Sequence, residues 1–420
     1  MTCISYLPGN QSCKVTLPIS KSIINRLLVI NFLSGGTRVP GFEKEAADIV
    51  AMQRLMDEIS LNKGINNTVC ELNVGNAGTV MRFLTAVLAV TPGNWLITGS
   101  ERMLKRPLKP LTDALLQMGA GLEFTSQKGY PPIHIKGKPD LNSGKVKLDS
   151  GISSQFISAV MMIGPTLDND LEIELQGDIA SGSYIRMTEA LMQKAGAEVN
   201  FEGNHIRITG KNYKKFEFPE LAEPDWSAAA FWFEIAALSQ GTEVLLQGLT
   251  PRSVQGDSVL PEIFVHLGVA SKFTSEGLQI EKSGIPALSE FNYDFTNCPD
   301  LAQAVIVTAA ALGIKGHFTG LKTLRVKETD RIEALRKELT RLGYRVDVTG
   351  DEIFLPGGKP AILSTAQPVV IHCYDDHRMA MSFAPLAILH DKICLDEPQV
   401  IRKSYPGYWA DIAKAGFALE

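Results

Sequence analysis

The sequence has no C-x-x-C pair, no uninterrupted apolar run of about 18 residues, no nucleotide-binding glycine loop and no cluster of metal-ligating side chains. Each absence excludes something. Without a long apolar run there is no candidate membrane-spanning helix, so no membrane partner is expected. No N-terminal signal pattern is present, and the chain is expected to be cytoplasmic. The six cysteines, Cys3, Cys13, Cys70, Cys298, Cys373 and Cys394, are scattered, so free thiols in a reducing compartment are expected rather than a disulfide frame. No cofactor and no metal are expected. Positive charge is also in short supply: 41 Lys and Arg against 46 Asp and Glu leave a formal net charge of -5. Nucleic-acid affinity is carried largely by positive surface charge, so no nucleic-acid partner is expected and any basic site has to be local.

One local concentration stands out. Arg325-Val326-Lys327-Glu328-Thr329-Asp330-Arg331 packs five charged side chains into seven residues. Ile332, Leu335, Leu339 and Leu342 follow at helical spacing and Gly343 closes the run, so a helix with one apolar stripe is expected. Lys327 and Arg331 stand four apart and are expected to share a face of its first turn, beside backbone N–H groups that also attract anions. That makes a site for a phosphate or a carboxylate. Glu328 lies between the two cations, where an acid can hand a proton to a bound anion. Taken alone, such a run is more often a solvated, salt-bridged helix start; the rest of the chain favours a site.

With 420 residues, 45% hydrophobic and 21% charged, the chain can build two domains with full cores. It also repeats. Leu115-Leu116-Gln117-Met118-Gly119-Ala120 leads to the alternating run Ile133-His134-Ile135-Lys136-Gly137, and Leu191-Met192-Gln193-Lys194-Ala195-Gly196-Ala197 leads to Ile206-Arg207-Ile208-Thr209-Gly210. The pivot glycine returns at Gly268, Gly343 and Gly416, and an earlier, degenerate copy ends near Ile59. Six units account for the chain.

Each unit holds a second helix, rich in Ala, Val and Leu, that begins on polar residues: Ser20-Lys21-Ser22, Asn76-Ala77-Gly78-Thr79, Ser153-Ser154-Gln155, Asp225-Trp226-Ser227, Asp300 and Asp376-His377-Arg378. A helix apolar nearly all round is a buried helix, so these are expected inside the units with the amphipathic ones covering them. Helix N-termini that converge attract anions even in an acidic protein. Ser, Asn and Asp at such positions are also ordinary N-caps. Capping does not explain Lys21, Arg26, Arg82 and Arg378, which lie in or beside apolar helices and are costly there without partners. Three units per domain is the economical division: residues 20–224 in one domain, 1–19 with 225–420 in the other. The chain crosses around Leu17-Pro18-Ile19 and around Leu221-Ala222-Glu223-Pro224. Two crossings without a long linker suggest a hinge that closes on a ligand, with the active site in the interdomain cleft.

Seven ordered motifs give the chain a family resemblance. Ser20-Lys21-Ser22-x-x-Asn25-Arg26, Gly75-Asn76-Ala77-Gly78-Thr79-x-Met81-Arg82, Arg106-Pro107, Ser153-Ser154-Gln155-Phe156, Pro299-Asp300, Arg325 to Arg331 and Asp376-His377-Arg378-Met379-Ala380-Met381 resemble, over essentially the whole chain, the 5-enolpyruvylshikimate-3-phosphate synthase family. The resemblance implies an α/β, two-domain fold of six βαβαββ repeats, three per domain, around buried parallel helices. It implies transfer of the enolpyruvyl group of phosphoenolpyruvate to the 5-hydroxyl of shikimate 3-phosphate in the shikimate pathway. Asp300 matches the family's proton acceptor and Glu328 its proton donor, with Lys21 also catalytic. Lys21, Ser22, Arg26, Ser153, Ser154, Gln155, Ser181, Tyr184, Asp300, Thr323 and Lys327 would hold shikimate 3-phosphate. Lys21, Asn76, Gly78, Arg106, Gln155, Arg331, Arg378 and Lys403 would surround phosphoenolpyruvate. The partners implied are these two small molecules, the chain is expected to act as a monomer, and retention of Gly78 implies sensitivity to glyphosate.

The chain departs from the family at four places. Ile19 stands where a Gly is usual, Phe83 where many members have Pro, and Thr323 where many have Asn. Ser181-Gly182-Ser183-Tyr184 lacks a Lys-Pro. None of these is the implied acid, base or phosphoenolpyruvate arginine. Three rivals are weighed. Enolpyruvyl transfer to UDP-N-acetylglucosamine goes with a Cys on a loop matching Gly99 to Pro107, which here has Ser100, Glu101 and Arg102. A non-catalytic anion-binding relative is disfavoured by the joint presence of Asp300, Glu328 and Lys403. An RNA-end-processing enzyme of similar repeats is disfavoured by the acidic net charge.

Overall fold

Apolar runs with no polar face have nowhere to sit but inside, and here they fold as helices: Lys21–Leu33, Gly78–Val90, Ser154–Ile163, Trp226–Leu238, Ala302–Ala311 and His377–Phe383. In Trp226–Leu238 and His377–Phe383 every residue is buried. The computed structural model describes residues 1–9, 12–142, 144–214, 222–283, 288–358, 360 and 368–420. The chain divides into two compact units, Lys21–Ala222 in one and Met1–Ser20 with Glu223–Glu420 in the other. Of the expected second crossing, Leu221 lies outside the described residues.

Amphipathic helices flank the buried ones. Ala47–Asn62, Lys109–Gln117 and Gly182–Lys194 belong to the Lys21–Ala222 unit, and Leu260–Phe264, Arg331–Arg341 and Tyr408–Ala413 to the other. In Arg331–Arg341 the stripe Ile332, Leu335 and Leu339 is buried, as is Leu342 just beyond. The five pivot glycines, Gly119, Gly196, Gly268, Gly343 and Gly416, all take left-handed backbone, with φ of 82°, 81°, 83°, 87° and 93°. An L side chain at such a position costs roughly 1–2 kcal/mol, which is why the same residue type recurs wherever a helix must turn back into a strand.

Among the described residues there are five four-stranded sheets on one plan: a parallel pair, then two antiparallel additions. Cys70–Asn73 runs parallel to Gly93–Thr98, which pairs antiparallel with Ile133–Gly137, itself antiparallel to Gly121–Phe124. Gly144–Asp149, Leu171–Gln176, His205–Ile208 and Val199–Glu202 repeat the plan. In the other unit the N-terminal segment serves two sheets. Ser12–Thr16 is the first strand beside Glu243–Gln247, while Thr2–Tyr6 takes third place, between Ile393–Leu395 and Phe417–Leu419. Tyr293–Asp294, Lys315–Thr319, Glu352–Pro356 and Asp347–Thr349 complete that unit's set. The first repeat contributes the helices Lys21–Leu33 and Ala47–Asn62 but no four-stranded sheet among the described residues.

One expectation fails here. Cys3 and Cys394 are joined by a disulfide, because the antiparallel register sets them directly opposite each other. Cys13, Cys70, Cys298 and Cys373 remain thiols. The two residues lie in opposite ends of the sequence, and only the strand order makes them neighbours.

A charged group in the core of the Met1–Ser20 and Glu223–Glu420 unit works against it. Glu234, in Trp226–Leu238, is fully buried, and neither carboxyl oxygen has a hydrogen-bond partner among the described residues. Burial pushes its pKa well above the ordinary glutamate value. A raised folded pKa means a cost that is absent below the unfolded value and grows as pH rises through it. Glu234→Met should therefore stabilise the chain by about 1–3 kcal/mol at neutral pH and by much less near pH 4. Denaturant titrations of both proteins at the two pH values would check this; equal stability at neutral pH would contradict it.

Candidate active site

In the Met1–Ser20 and Glu223–Glu420 unit, three buried helices pack on one another and begin with carboxylates. Asp225 and Asp376 are N-caps, accepting from the Ser227 and Arg378 amides at 2.8 and 2.9 Å, and Asp300 lies in the short turn Pro299–Leu301 that leads into Ala302–Ala311. A helix N-terminus favours an anion, so these carboxylates are well placed electrostatically, but they also occupy the position a bound anion would take. Cations offset them. The guanidinium of Arg331, 2% exposed, reaches Asp376 Oδ2 from Nε at 2.7 Å, Asp300 Oδ1 from Nη1 at 3.3 Å and Glu328 Oε2 from Nη2 at 3.0 Å. Asp300 also meets Lys327 Nζ at 3.5 Å and Arg378 Nη2 at 3.2 Å, while Arg378 Nη1 donates to the Asp300 carbonyl oxygen at 2.9 Å. The planar fork of arginine makes this three-way pairing possible where a lysine would act as a single point of charge.

The charged run does not fold as the spacing implies. The helix begins at Arg331 with Asp330 as its N-cap, accepting from the Glu333 amide at 3.2 Å, and Lys327 lies ahead of it at the end of a short 3-10 turn, Lys322–Val326. The capping preference of Asp wins over helical continuation. Lys327 and Arg331 therefore do not share a first turn; they converge instead on Asp300. Burial lowers the Lys327 pKa against the opposing pull of Asp300. For Arg331 burial also acts downward, but Asp376, Glu328 and Asp300 together outweigh it and hold the charge firmly. Lys403 bonds the Asp375 carbonyl at 2.7 Å and its carboxylate at 3.2 Å, at a bend where Tyr374 and Asp375 both have positive φ. Thr323 is buried, and its hydroxyl has no hydrogen-bond partner among the described residues.

In the Lys21–Ala222 unit the three buried helices again pack on one another, but they begin on Lys21, Gly78 and Ser154 rather than on acids. Lys21 Nζ meets Asp48 Oδ2 at 3.1 Å. Gln155 is fixed from both sides: its Oε1 accepts from Arg82 Nη1 at 2.7 Å and its Nε2 donates to Thr79 Oγ1 at 2.9 Å. Ser153 caps its helix by accepting from the Gln155 amide at 3.3 Å, and Ser181, with φ of 59°, precedes Gly182–Lys194. A Cβ built on Gly78 would lie 2.7 Å from both terminal nitrogens of Arg106 and 2.7 Å from Arg82 Nη1. The missing side chain is what lets two buried guanidiniums approach a helix N-terminus together.

Arg26 is buried, as its place in an apolar helix implies, and its neighbours are neutral. Nε donates to Thr188 Oγ1 at 2.7 Å, Nη1 to the Ser22 carbonyl at 2.8 Å, and Nη2 to Ser158 Oγ and the Tyr184 carbonyl at 3.2 and 3.4 Å. The rings of Phe83 and Tyr184 lie 5.3 and 5.8 Å from its guanidinium carbon, so the aromatic residue at the Phe83 departure has a cation–π role. Burial pushes its pKa down to about 10, because no carboxylate among the described residues offsets the desolvation. The Ile19 backbone bridges to Pro224.

Sequence reading missed several partners. Asp48, which pairs with Lys21, sits in an amphipathic helix with no local mark of its role. Asp257 is buried close to Asp300, accepts from the Ser227 hydroxyl, and has its pKa raised to about 7 by burial first and by the Asp300 charge second. Arg82 had a signal, a cation inside an apolar helix, that places it beside Arg106 and Gln155. A hollow of about 700 Å³ over the second sheet, lined by Lys145, Glu172, His205 and Arg207, contains none of the expected site residues.

The EPSP synthase (3-phosphoshikimate 1-carboxyvinyltransferase) family model matches residues 7–412. The chain belongs to the EPSP synthase family. A 3-phosphoshikimate 1-carboxyvinyltransferase of Bacteroides fragilis is 43% identical over 414 residues, covering 98% of this chain and 97% of that protein. One of Methanospirillum hungatei is 34% identical, covering 94% of each. Among solved structures, an EPSP synthase from Acinetobacter baumannii aligns over the full length of both chains with a TM-score of 0.74 at 24% identity, which establishes the shared fold. As a member of this family the chain has the two-domain α/β enolpyruvyl transferase fold expected from its motifs. No helix among the described residues is long and apolar enough to cross a membrane.

Proposed function

We propose that the chain is a 3-phosphoshikimate 1-carboxyvinyltransferase, moving the enolpyruvyl group of phosphoenolpyruvate onto the 5-hydroxyl of shikimate 3-phosphate. The observation that carries this is the placement of Asp300 and Glu328 on two nitrogens of one guanidinium, at 3.3 and 3.0 Å from Arg331. Two carboxylates held this rigidly have separate tasks available to them, proton acceptor and proton donor. Glu328 protonates the methylene carbon of phosphoenolpyruvate while Asp300 accepts the hydroxyl proton, and the hydroxyl oxygen bonds to the central carbon. In the second stage the Glu328 carboxylate takes a proton back from the new methyl group, the bond from the central carbon to the phosphate oxygen breaks, and inorganic phosphate leaves with the proton that Asp300 had accepted.

The other residues that the resemblance singles out are assigned to binding. Ser153, Ser154, Ser181 and Lys327 are assigned to the shikimate phosphate, and Ser22, Arg26, Gln155, Tyr184 and Thr323 to the rest of that substrate. Lys21, Asn76, Gly78, Arg106, Gln155, Arg331, Arg378 and Lys403 surround phosphoenolpyruvate, whose carboxylate and phosphate suit planar guanidiniums. As a biosynthetic enzyme on soluble substrates it acts in the cytoplasm. Phosphate release from phosphoenolpyruvate, measured with shikimate 3-phosphate, with UDP-N-acetylglucosamine and with neither, tests the reading. Release with shikimate 3-phosphate alone is expected; release with the nucleotide sugar alone overturns the acceptor.

Gly78→Ala is a sharper probe of the phosphoenolpyruvate residues. A methyl group 2.7 Å from Arg106 and Arg82 must displace both guanidiniums. The KM for phosphoenolpyruvate is expected to rise about tenfold, a loss of about 1.4 kcal/mol, with the KM for shikimate 3-phosphate little changed. Steady-state kinetics in both substrates would show it, and an unchanged phosphoenolpyruvate KM would remove Gly78 from that site.

A further inference from the structure

Arg325 opens the charged run, and the reaction proposed above gives it no task. Each of its three guanidinium nitrogens nevertheless donates a hydrogen bond. Nε donates to Asp351 Oδ1 at 2.7 Å, Nη1 to Asp330 Oδ2 at 2.8 Å, and Nη2 to the Gly350 carbonyl oxygen. These three partners lie in two different elements. Asp330 is the N-cap of Arg331–Arg341, and its other oxygen accepts from the Glu333 amide. Gly350 and Asp351 form the two-residue turn between Asp347–Thr349 and Glu352–Pro356, whose Thr349 and Glu352 are paired across it, with Gly350 at φ of 57°. Glu352–Pro356 is in turn paired with Lys315–Thr319, so the turn is anchored in a sheet.

The segment between Arg325 and Asp330 contains Lys327 and Glu328. One side chain therefore ties the start of that loop to its end, and both to a sheet turn. The loop is closed like a buckle, with Lys327 and Glu328 carried on the closed part and directed at Asp300 and Arg331. The three side chains of the buckle, Arg325, Asp330 and Asp351, are 32%, 39% and 41% exposed. Ion pairs this exposed contribute little to stability, so holding the chain folded is not what they are suited to. They are suited to fixing the geometry of the loop before substrate arrives, and a misplacement of about 1 Å at reacting groups can cost about 100-fold in rate.

We propose that Arg325 is a positioning residue for the acid Glu328, acting by locking the Lys327–Asp330 loop between the helix cap and the Gly350–Asp351 turn. This rests on the reaction assigned above, but the lock itself is open to a test that does not need the reaction. Amide hydrogen exchange is compared between wild type and Arg325→Ala. Exchange at residues 326–330 is expected to speed up about tenfold or more in the variant, with the body of Arg331–Arg341 unchanged. Equal exchange in the loop overturns the proposal, whatever the substrate proves to be.

Kinetics provide the second readout. Arg325→Ala is expected to lower kcat about 30- to 100-fold, with KM for phosphoenolpyruvate within about threefold, KM for shikimate 3-phosphate raised because Lys327 rides on the same loop, and the thermal midpoint within a few degrees. Arg325→Lys is expected to recover little, because an ammonium cannot reproduce the three-way fork. Guanidinium ion at tens of millimolar should restore part of the rate to Arg325→Ala. In a Glu328→Gln background the same substitution should cost almost nothing further, since the group it positions is already gone. A full additional loss in that background, or a kcat equal to wild type, overturns the proposal. Absence of phosphate release by the wild type with shikimate 3-phosphate would count against the assigned reaction and leave the exchange result to decide the lock.

Discussion

Glu328→Gln should bind shikimate 3-phosphate and phosphoenolpyruvate as well as the wild type does and lose about 10²- to 10⁴-fold in kcat, the range expected when a general acid is removed. The amide keeps the size of the carboxyl group and can still sit against Arg331 Nη2, from which the carboxylate oxygen now lies 3.0 Å. It cannot give up a proton to carbon. Loss of chemistry with retention of binding is the signature of an interaction that matters only in the transition state. Equilibrium binding of each substrate alongside single-turnover kinetics would separate the two. A variant that turns over at the wild-type rate removes Glu328 from the mechanism, and one that fails to bind shows that Glu328 is chiefly a structural partner of Arg331.

Arg331→Met should be the most damaging single change in the same cluster. The side chain is 2% exposed and pairs with Asp376, which is 0% exposed, as well as with Asp300 and Glu328. Replacing it with an apolar chain of similar length leaves three carboxylates gathered together, one of them fully buried, with Lys327 and Arg378 on Asp300 as the remaining cations in the described network. Breaking a buried pair by removing one partner typically costs 3–5 kcal/mol. Denaturant titrations of variant and wild type at neutral pH would check this; equal stability would mean that the buried pairing with Asp376 contributes nothing to holding the fold. Activity is expected to be lost at every pH.

Much of the architecture is legible in local pattern. The buried helices announce themselves because a run such as Trp226–Leu238 has no polar face, and the left-handed pivots because each repeat places Gly where the helix must end. The stripe Ile332, Leu335 and Leu339 marks the face of Arg331–Arg341 that packs inward. What escapes the sequence is whatever depends on strand order or on competition between local signals. Cys3 and Cys394 meet only because the N-terminal strand is inserted third in a sheet built from the end of the chain. Lys327 is excluded from the helix because Asp330 caps it, a contest between spacing and capping that spacing alone does not settle. Asp48 and Asp257 find Lys21 and the Asp300 neighbourhood through tertiary packing, with no spacing rule to point to them. Arg325 is visible as a charge, but its three anchors include a turn more than twenty residues downstream.

Deuterium uptake tests the central claim most directly, because the account stands on protonation of carbon by a held carboxyl group. Phosphoenolpyruvate and shikimate 3-phosphate would be incubated with the enzyme in D₂O and the enolpyruvyl methylene of the product examined by NMR or mass spectrometry. Addition followed by elimination passes through a methyl group, so deuterium is expected in that methylene, and Glu328→Gln is expected to slow its appearance along with turnover. A product formed at the wild-type rate with no deuterium in the methylene would mean that carbon is never protonated, and the roles given to Glu328, Asp300 and the Arg331 fork between them would have to be abandoned.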